Sequence, residues 1–241
     1  MQQPNHIIAY SIGYLLFFSL LLLASLQRRH RLFDEQGKVP DPGALLFLHM
    51  AGIILLGAFP AVFVSHDLID IVFGKNPPGS LPVWLAGFFA ILAMIIGTRA
   101  AEKKSRRVEG NERALVSFSS FFTTNYFSLR VVFLMVYEIW FRGYLLTDSI
   151  ASWGIPAAIL VNMLLYVLLH SVNGKEEMLG CIPFGILLCI LCIWTGAAWP
   201  AIVIHLALAI SYEAHLVNKI NKHQIRLYEN TNNRRIRIRR Q

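Results

Sequence analysis

The sequence predicts an all-α membrane protein: a polytopic bundle of about seven transmembrane helices, N-terminus outside and C-terminus cytoplasmic. Three observations carry this. Of 241 residues, 56% are hydrophobic and only 15% charged, whereas a soluble domain averages about 45–50% apolar and about 25% charged residues. The apolar residues fall in blocks long enough to cross a hydrocarbon core of about 30 Å, without the alternating ~10-residue segments of a membrane barrel. Lysine and arginine are confined to alternate connections, as the positive-inside rule requires. This composition excludes a disordered chain, a collagen, a small disulfide scaffold and an ordinary cytosolic enzyme.

Residues 7–26 form the first block, followed by Arg28, Arg29 and Arg31. No Lys or Arg precedes it and no small-residue cleavage pattern follows, so it reads as a span and not as a signal peptide. The second span is 44–64. A turn-rich link with Asp67, Asp70, Gly74, Pro77 and Pro78 leads to the third, 82–98. Next comes a basic loop with Arg99, Lys103, Lys104, Arg106, Arg107 and Arg113. Residues 114–127, aromatic and rich in Ser and Thr, read as an amphipathic helix on the inner surface, or as the start of a longer fourth span. The fourth span is 131–146, the fifth 153–171, the sixth 178–196 and the seventh 199–217, joined by 147–152, 172–177 and the pair 197–198. A polar, Arg-rich tail follows. With seven spans, 20 of the 22 Lys and Arg face the cytoplasm; the exceptions are Lys75, outside, and Arg142, within a span. The chain divides into three N-terminal spans (1–113), a core (114–217) and a basic tail (218–241). No internal repeat is visible. Attraction to anionic lipid headgroups accounts for the net charge of +8, at about 1 kcal/mol per basic residue near the surface, and no nucleic-acid partner is expected. Cys181, Cys189 and Cys192 share one apolar block and are expected to be reduced and buried.

A charge at mid-bilayer costs about 2.5–3.5 kcal/mol or more, so ionisable residues within spans are functional candidates. They are His49, Glu138, Arg142, His170, His205 and Glu213. His49 and Glu213 lie near span ends, where they are expected to reach the interface. Glu138 and Arg142, four residues apart, share a helix face and can neutralise each other. Tyr166 stands one turn before His170. One Glu and two His on three spans are the ingredients of a water-activating site. They are also the ligand count of a catalytic zinc centre. Zinc, held by Glu138, His170 and His205, is the metal such a site would take.

Three stretches carry a resemblance. Tyr137-Glu138-Ile139-Trp140-Phe141-Arg142-Gly143-Tyr144-Leu145 resembles the first motif, Glu-Glu-x-x-x-Arg, of the CPBP intramembrane proteases. These are the CAAX-processing and bacteriocin-processing enzymes, also called the Abi family. Tyr166-Val167-Leu168-Leu169-His170 is similar to the second motif, Phe-x-x-x-His, and His205-Leu206-Ala207-Leu208-Ala209 to the third, His-x-x-x-Asn. The lead-in 194–200 is similar to the turn before that helix. The resemblance covers about 114–216. It implies an integral membrane protein, in the plasma (inner) membrane of a prokaryote, that hydrolyses a peptide bond of a protein or peptide in or at the membrane. The residues carried over are Glu138, His170 and His205 as catalytic groups, with Arg142, Tyr137 and Tyr166 in support. A glutamate and His170 would activate water, and His205 would stabilise the oxyanion. Two positions depart from the family. Tyr137 stands where the first Glu belongs, and Ala209 where the Asn belongs. These departures keep open a binding or scaffolding role on the same fold. A transporter using the same buried charges is the third reading, against which the chain lacks an inverted pair of Gly/Pro-broken spans.

The charge distribution generates a first prediction. A reporter fused after Gln241 should report a cytoplasmic location, and one fused ahead of Ile7 an external one. A cytoplasmic N-terminus would overturn the seven-span reading.

Overall fold

The computed structural model describes residues 4–33, 39–64, 66–76, 78–109 and 120–238. Among these, nearly everything is helix and nothing is strand. Helix α1 is Pro4–Leu26. Helix α2, Pro42–Ile53, is capped by Asp41, whose Oδ1 accepts from the Ala44 N–H at 2.9 Å. It runs through a π turn, Ile54–Ala58, into α3, Phe59–Phe63, so the second span is one rod. A short helix α4, Leu68–Phe73, sits in the link to α5, Ser80–Glu109. Then come α6, Ser120–Glu138, a π-helical stretch, Ile139–Leu145, and α7, Leu146–His170. Helices α8, Lys175–Thr195, and α9, Trp199–Ile238, complete the chain.

Six helical stretches are long and apolar enough to cross a membrane, and the fourth runs for 53 residues, Phe121–Asn173. Straight, it would measure about 80 Å at ~1.5 Å per residue. Instead it turns back at Gly154, whose φ of 78° no ordinary side chain adopts comfortably. Pro156 follows, a residue suited to the first turn of a new helix. Contacts prove the reversal. Asn162 Nδ2 donates to the Phe141 carbonyl, and the Tyr137 and Tyr166 rings lie 6.0 Å apart. The stretch therefore supplies two candidate crossings, which makes seven among the described residues.

Helix directions agree. α5 and α9 run parallel: Ala93 packs with Ala201 and Ile204, Gly97 against Leu208 and Ser211, and Ala101 with Leu216 and Val217. Three crossings between them give that result; two would make them antiparallel. One face of the bundle gathers His6, His66 and Asp148. The opposite face gathers Arg29 with Asp41, and Arg31 with the Asn173 carbonyl.

Several expectations need correction. The connection expected at 147–152 is helical, and the turn comes at Gly154, because Gly and Pro break the helix where the polar residues do not. Of 114–127, residues 120–127 are the first turns of α6, continuous with the fourth span; the preceding residues lie outside those described. The polar tail after the seventh span is helical, as the continuation of α9 to Ile238, which leaves its expected place in the chain unchanged. His49 and Glu213 are not free at the ends of their spans. Both are buried in a polar cluster: Arg130 pairs with Glu213 at 2.8 Å, the Tyr126 hydroxyl donates to Glu213 at 2.9 Å, and Arg130 Nη1 approaches His49 Nε2 at 3.4 Å. These partners come from α2, α6 and α9 and pair the charges within the protein. The three cysteines are free and buried, as expected.

A Cβ at Gly154 would meet nothing within 4 Å, so its cost is backbone strain alone. Gly154→Ala should destabilise by about 1–3 kcal/mol. Gly180, in α8, is equally uncrowded but has no positive φ. Gly180→Ala should instead stabilise by about 0.5–1 kcal/mol. Unfolding midpoints of the two variants in detergent check both signs.

Candidate active site

The centre of the bundle is built on the π-helical stretch. Widening the turn after Glu138 turns Trp140, Phe141 and Arg142 all inward, and each is buried. Such widened turns recur at functional sites. They release backbone carbonyls that apolar surroundings cannot satisfy. Asn162, fully buried on the returning limb of α7, donates its amide to the Phe141 carbonyl, and Cys189 of α8 donates to Asn162 Oδ1 at 3.4 Å. Three helices are thus tied at one level.

Glu138 has no exposed surface. One oxygen, Oε1, meets His205 Nδ1 of α9 at 2.5 Å; the other, Oε2, faces Arg142 Nη1 at 3.2 Å. A carboxylate is acceptor-only, so the proton of that contact belongs to His205 Nδ1, and Nε2 is left as the basic nitrogen. The Arg142 guanidinium also lies 4.3 Å from the Tyr166 ring centre and 5.4 Å from that of Phe141, within cation–π range. Gly185 makes the room: a Cβ there would stand 3.5 Å from Arg142 Nη2 and 3.3 Å from Tyr166.

Tyr137 lies beside Glu138 and also turns inward. Its ring centre is 5.9 Å from that of His205 and 6.3 Å from that of His170, nearly perpendicular to both. Its hydroxyl is buried without a hydrogen-bond partner among the described residues. His170 ends α7 partly exposed, with Nδ1 on the Tyr166 carbonyl at 2.9 Å and its ring 4.5 Å from that of Tyr166. Ala209, one turn beyond His205, packs against the same aromatic cluster.

The six expected site residues, Tyr137, Glu138, Arg142, Tyr166, His170 and His205, therefore converge. Within that set, Glu138, Arg142 and His205 are in direct contact, while His170 meets the others through Tyr137 and Tyr166. A zinc ion does not fit this arrangement. Arg142 holds Glu138 Oε2, and the His/Cys/Asp/Glu ligand atoms that lie within 4.8 Å of one another, among the described residues, are those of His6, His66 and Asp148 instead. A cavity of about 320 Å³ lies beyond Trp140, lined by Tyr10, Tyr14, Trp140, Asp148 and Trp153, without Glu138, His170 or His205 in its wall. Sequence reasoning missed Asn162 and Gly185. The signal for Asn162 was present, since an amide within an apolar block must find a partner. Gly185 had none, because its role depends on the register of α8 against α6.

Residues 119–211, less than half of the chain, match the family described as Type II CAAX prenyl endopeptidase Rce1-like. The match covers all three motifs. No curated protein and no solved structure matches the chain.

Removing one partner of a buried ion pair strands the other, at a cost of about 3–5 kcal/mol. Arg142→Leu should therefore lower the yield and melting temperature of folded protein, and adding Glu138→Gln should recover part of the loss. Arg142→Lys should recover little, because an ammonium lacks the planar face that stacks on Tyr166. Thermal unfolding of the purified variants reads all three.

Proposed function

We propose that this chain, which matches the Rce1-like CAAX endopeptidase family over residues 119–211, is an intramembrane endopeptidase that hydrolyses a peptide bond of a membrane-associated protein or peptide. The family's description makes a lipid-modified CAAX peptide the substrate class to test first. The observation that carries the reading is the contact of Glu138 with His205, with Arg142 balancing the charge.

A carboxylate on one imidazole nitrogen orients the ring and stabilises the imidazolium that forms when the other takes a proton. His205 Nε2 then removes a proton from water as the oxygen attacks the scissile carbonyl. In this reading the Tyr137 hydroxyl, which has no hydrogen-bond partner among the described residues, and His170 are the donors assigned to the oxyanion, and one such donor is worth about 2.7–4 kcal/mol. As the C–N bond breaks, His205 returns the proton to the departing amine. This division differs from the family-type one, in which a glutamate at position 137 and His170 share the water. It follows from both oxygens of Glu138 being engaged. We further propose that the site opens on the basic face, the cytoplasmic one, where His170 is partly exposed beside the loop held by Arg31.

The test is cleavage of a farnesylated CAAX peptide by the purified full chain in lipid. His205→Ala and Glu138→Gln should reduce it by about 10²–10⁴-fold, the usual worth of general-base help. Tyr137→Glu should raise it, by placing a carboxylate between the two imidazoles, and Ala209→Asn should raise it less. An inactive wild type with an inactive Tyr137→Glu would defeat the protease reading. Activity that survives His205→Ala would defeat the assignment of the base.

A further inference from the structure

A second cluster of ionisable groups stands on the face opposite the basic one. His6 comes from the first turn of α1, His66 from the link before α4, and Asp148 from the first turn of α7. Three segments far apart in sequence thus deliver two imidazoles to one buried carboxylate. His66 Nε2 lies 2.8 Å from Asp148 Oδ1, and His6 Nδ1 lies 3.5 Å from Oδ2. The donor atoms all fall within 4.8 Å of one another. In a tetrahedral zinc site, bonds of about 2.0–2.2 Å place donors about 3.3 Å apart. The two distances bracket that spacing, so small side-chain shifts suffice.

The surroundings are built in the same sense. The Tyr10 hydroxyl donates to Asp148 Oδ2 at 2.7 Å, fixing the carboxylate as an outer-shell partner does at a metal. The His66 ring stacks on Tyr144, 6.1 Å between centres and 17° between planes, and the His6 ring meets it edge-on at 5.8 Å. Side-chain exposure is 12% for His6, 30% for His66 and 10% for Asp148, low enough for order and open enough for an ion to enter. Nothing in the proteolytic reading uses these residues.

We propose that His6, His66 and Asp148 form a binding site for a zinc-type divalent ion, with a fourth position left to water. Bound there, the ion ties α1 and the link at His66 to the outer end of the α6–α7 hairpin. This is a clamp on the fold, separate from the hydrolytic centre.

The experiment uses the full chain, purified in detergent without a polyhistidine tag, stripped of metal and titrated with Co²⁺. One equivalent should bind with the visible absorption of a tetrahedral site, and Zn²⁺ should bleach it. Zn²⁺ should also raise the melting temperature. His66→Ala, His6→Ala and Asp148→Asn should each weaken binding more than tenfold, and Tyr10→Phe by about 10–100-fold. His215→Ala, on the opposite face, should bind as wild type does. His66 is the most exposed of the three, so its variant should lose the least metal-free stability, and binding measured well below that variant's own metal-free melting temperature separates lost ligation from unfolding. No stoichiometric binding by wild type, or equal binding by His66→Ala and Asp148→Asn, would overturn the proposal and leave a hydrogen-bonded His–Asp–His cluster.

Discussion

A carboxylate without exposed surface, deep in a bundle that faces lipid, must be neutralised by groups the fold brings to it. Glu138 is that group, and much of the architecture follows from its needs. Arg142 arrives from the same helix, His205 from α9, and each takes one oxygen. Arg142 in turn needs the faces of Tyr166 and Phe141, and Tyr166 needs the returning limb of α7 at a fixed height. The chain solves a desolvation problem by drawing on three helices, and the solution is also a carboxylate-imidazole pair with a basic nitrogen to spare.

A second constraint is the backbone itself. The widened turn at Ile139–Leu145 brings three large side chains inward at the expense of a regular ladder, and Asn162 offsets part of that loss at the Phe141 carbonyl. The same economy appears at Arg130, where Glu213, Tyr126 and His49 gather from three helices. Two of the buried charges, Glu138 and Glu213, are thus met by assembled partners at different depths of the same pair of helices, α6 and α9.

Much of this was legible in the sequence. Spans, their number and the membership of the central site could be read because hydrophobic length and forbidden charge are local signals. The pairing of Glu138 with Arg142 could be read because four residues on a helix share a face. What could not be read depends on contacts between helices. Glu213 looked interfacial from its place near a span end, yet it is buried, because Arg130 and Tyr126 come to it from α6. The turn after the fourth span was misplaced because polarity drew attention to 147–152, while conformation, through Gly154 and Pro156, decided the matter. Tyr137 and Glu138 are neighbours in a helix, and adjacent positions diverge by about 100°. Both border the imidazoles, because a side chain as long as glutamate reaches His205 from the flank of the face that Tyr137 occupies.

The α6–α7 hairpin sets Tyr137 opposite Tyr166 and Phe141 opposite Asn162, two pairs separated by the same four residues on each limb. Between them the chain behaves as a ruler. Substitutions along it alter one contact each. A single inserted or deleted residue would rotate everything beyond it by about 100°, carrying Tyr166, Asn162 and His170 off their partners together. For this segment the length of the text, more than its spelling, is what heredity has to preserve.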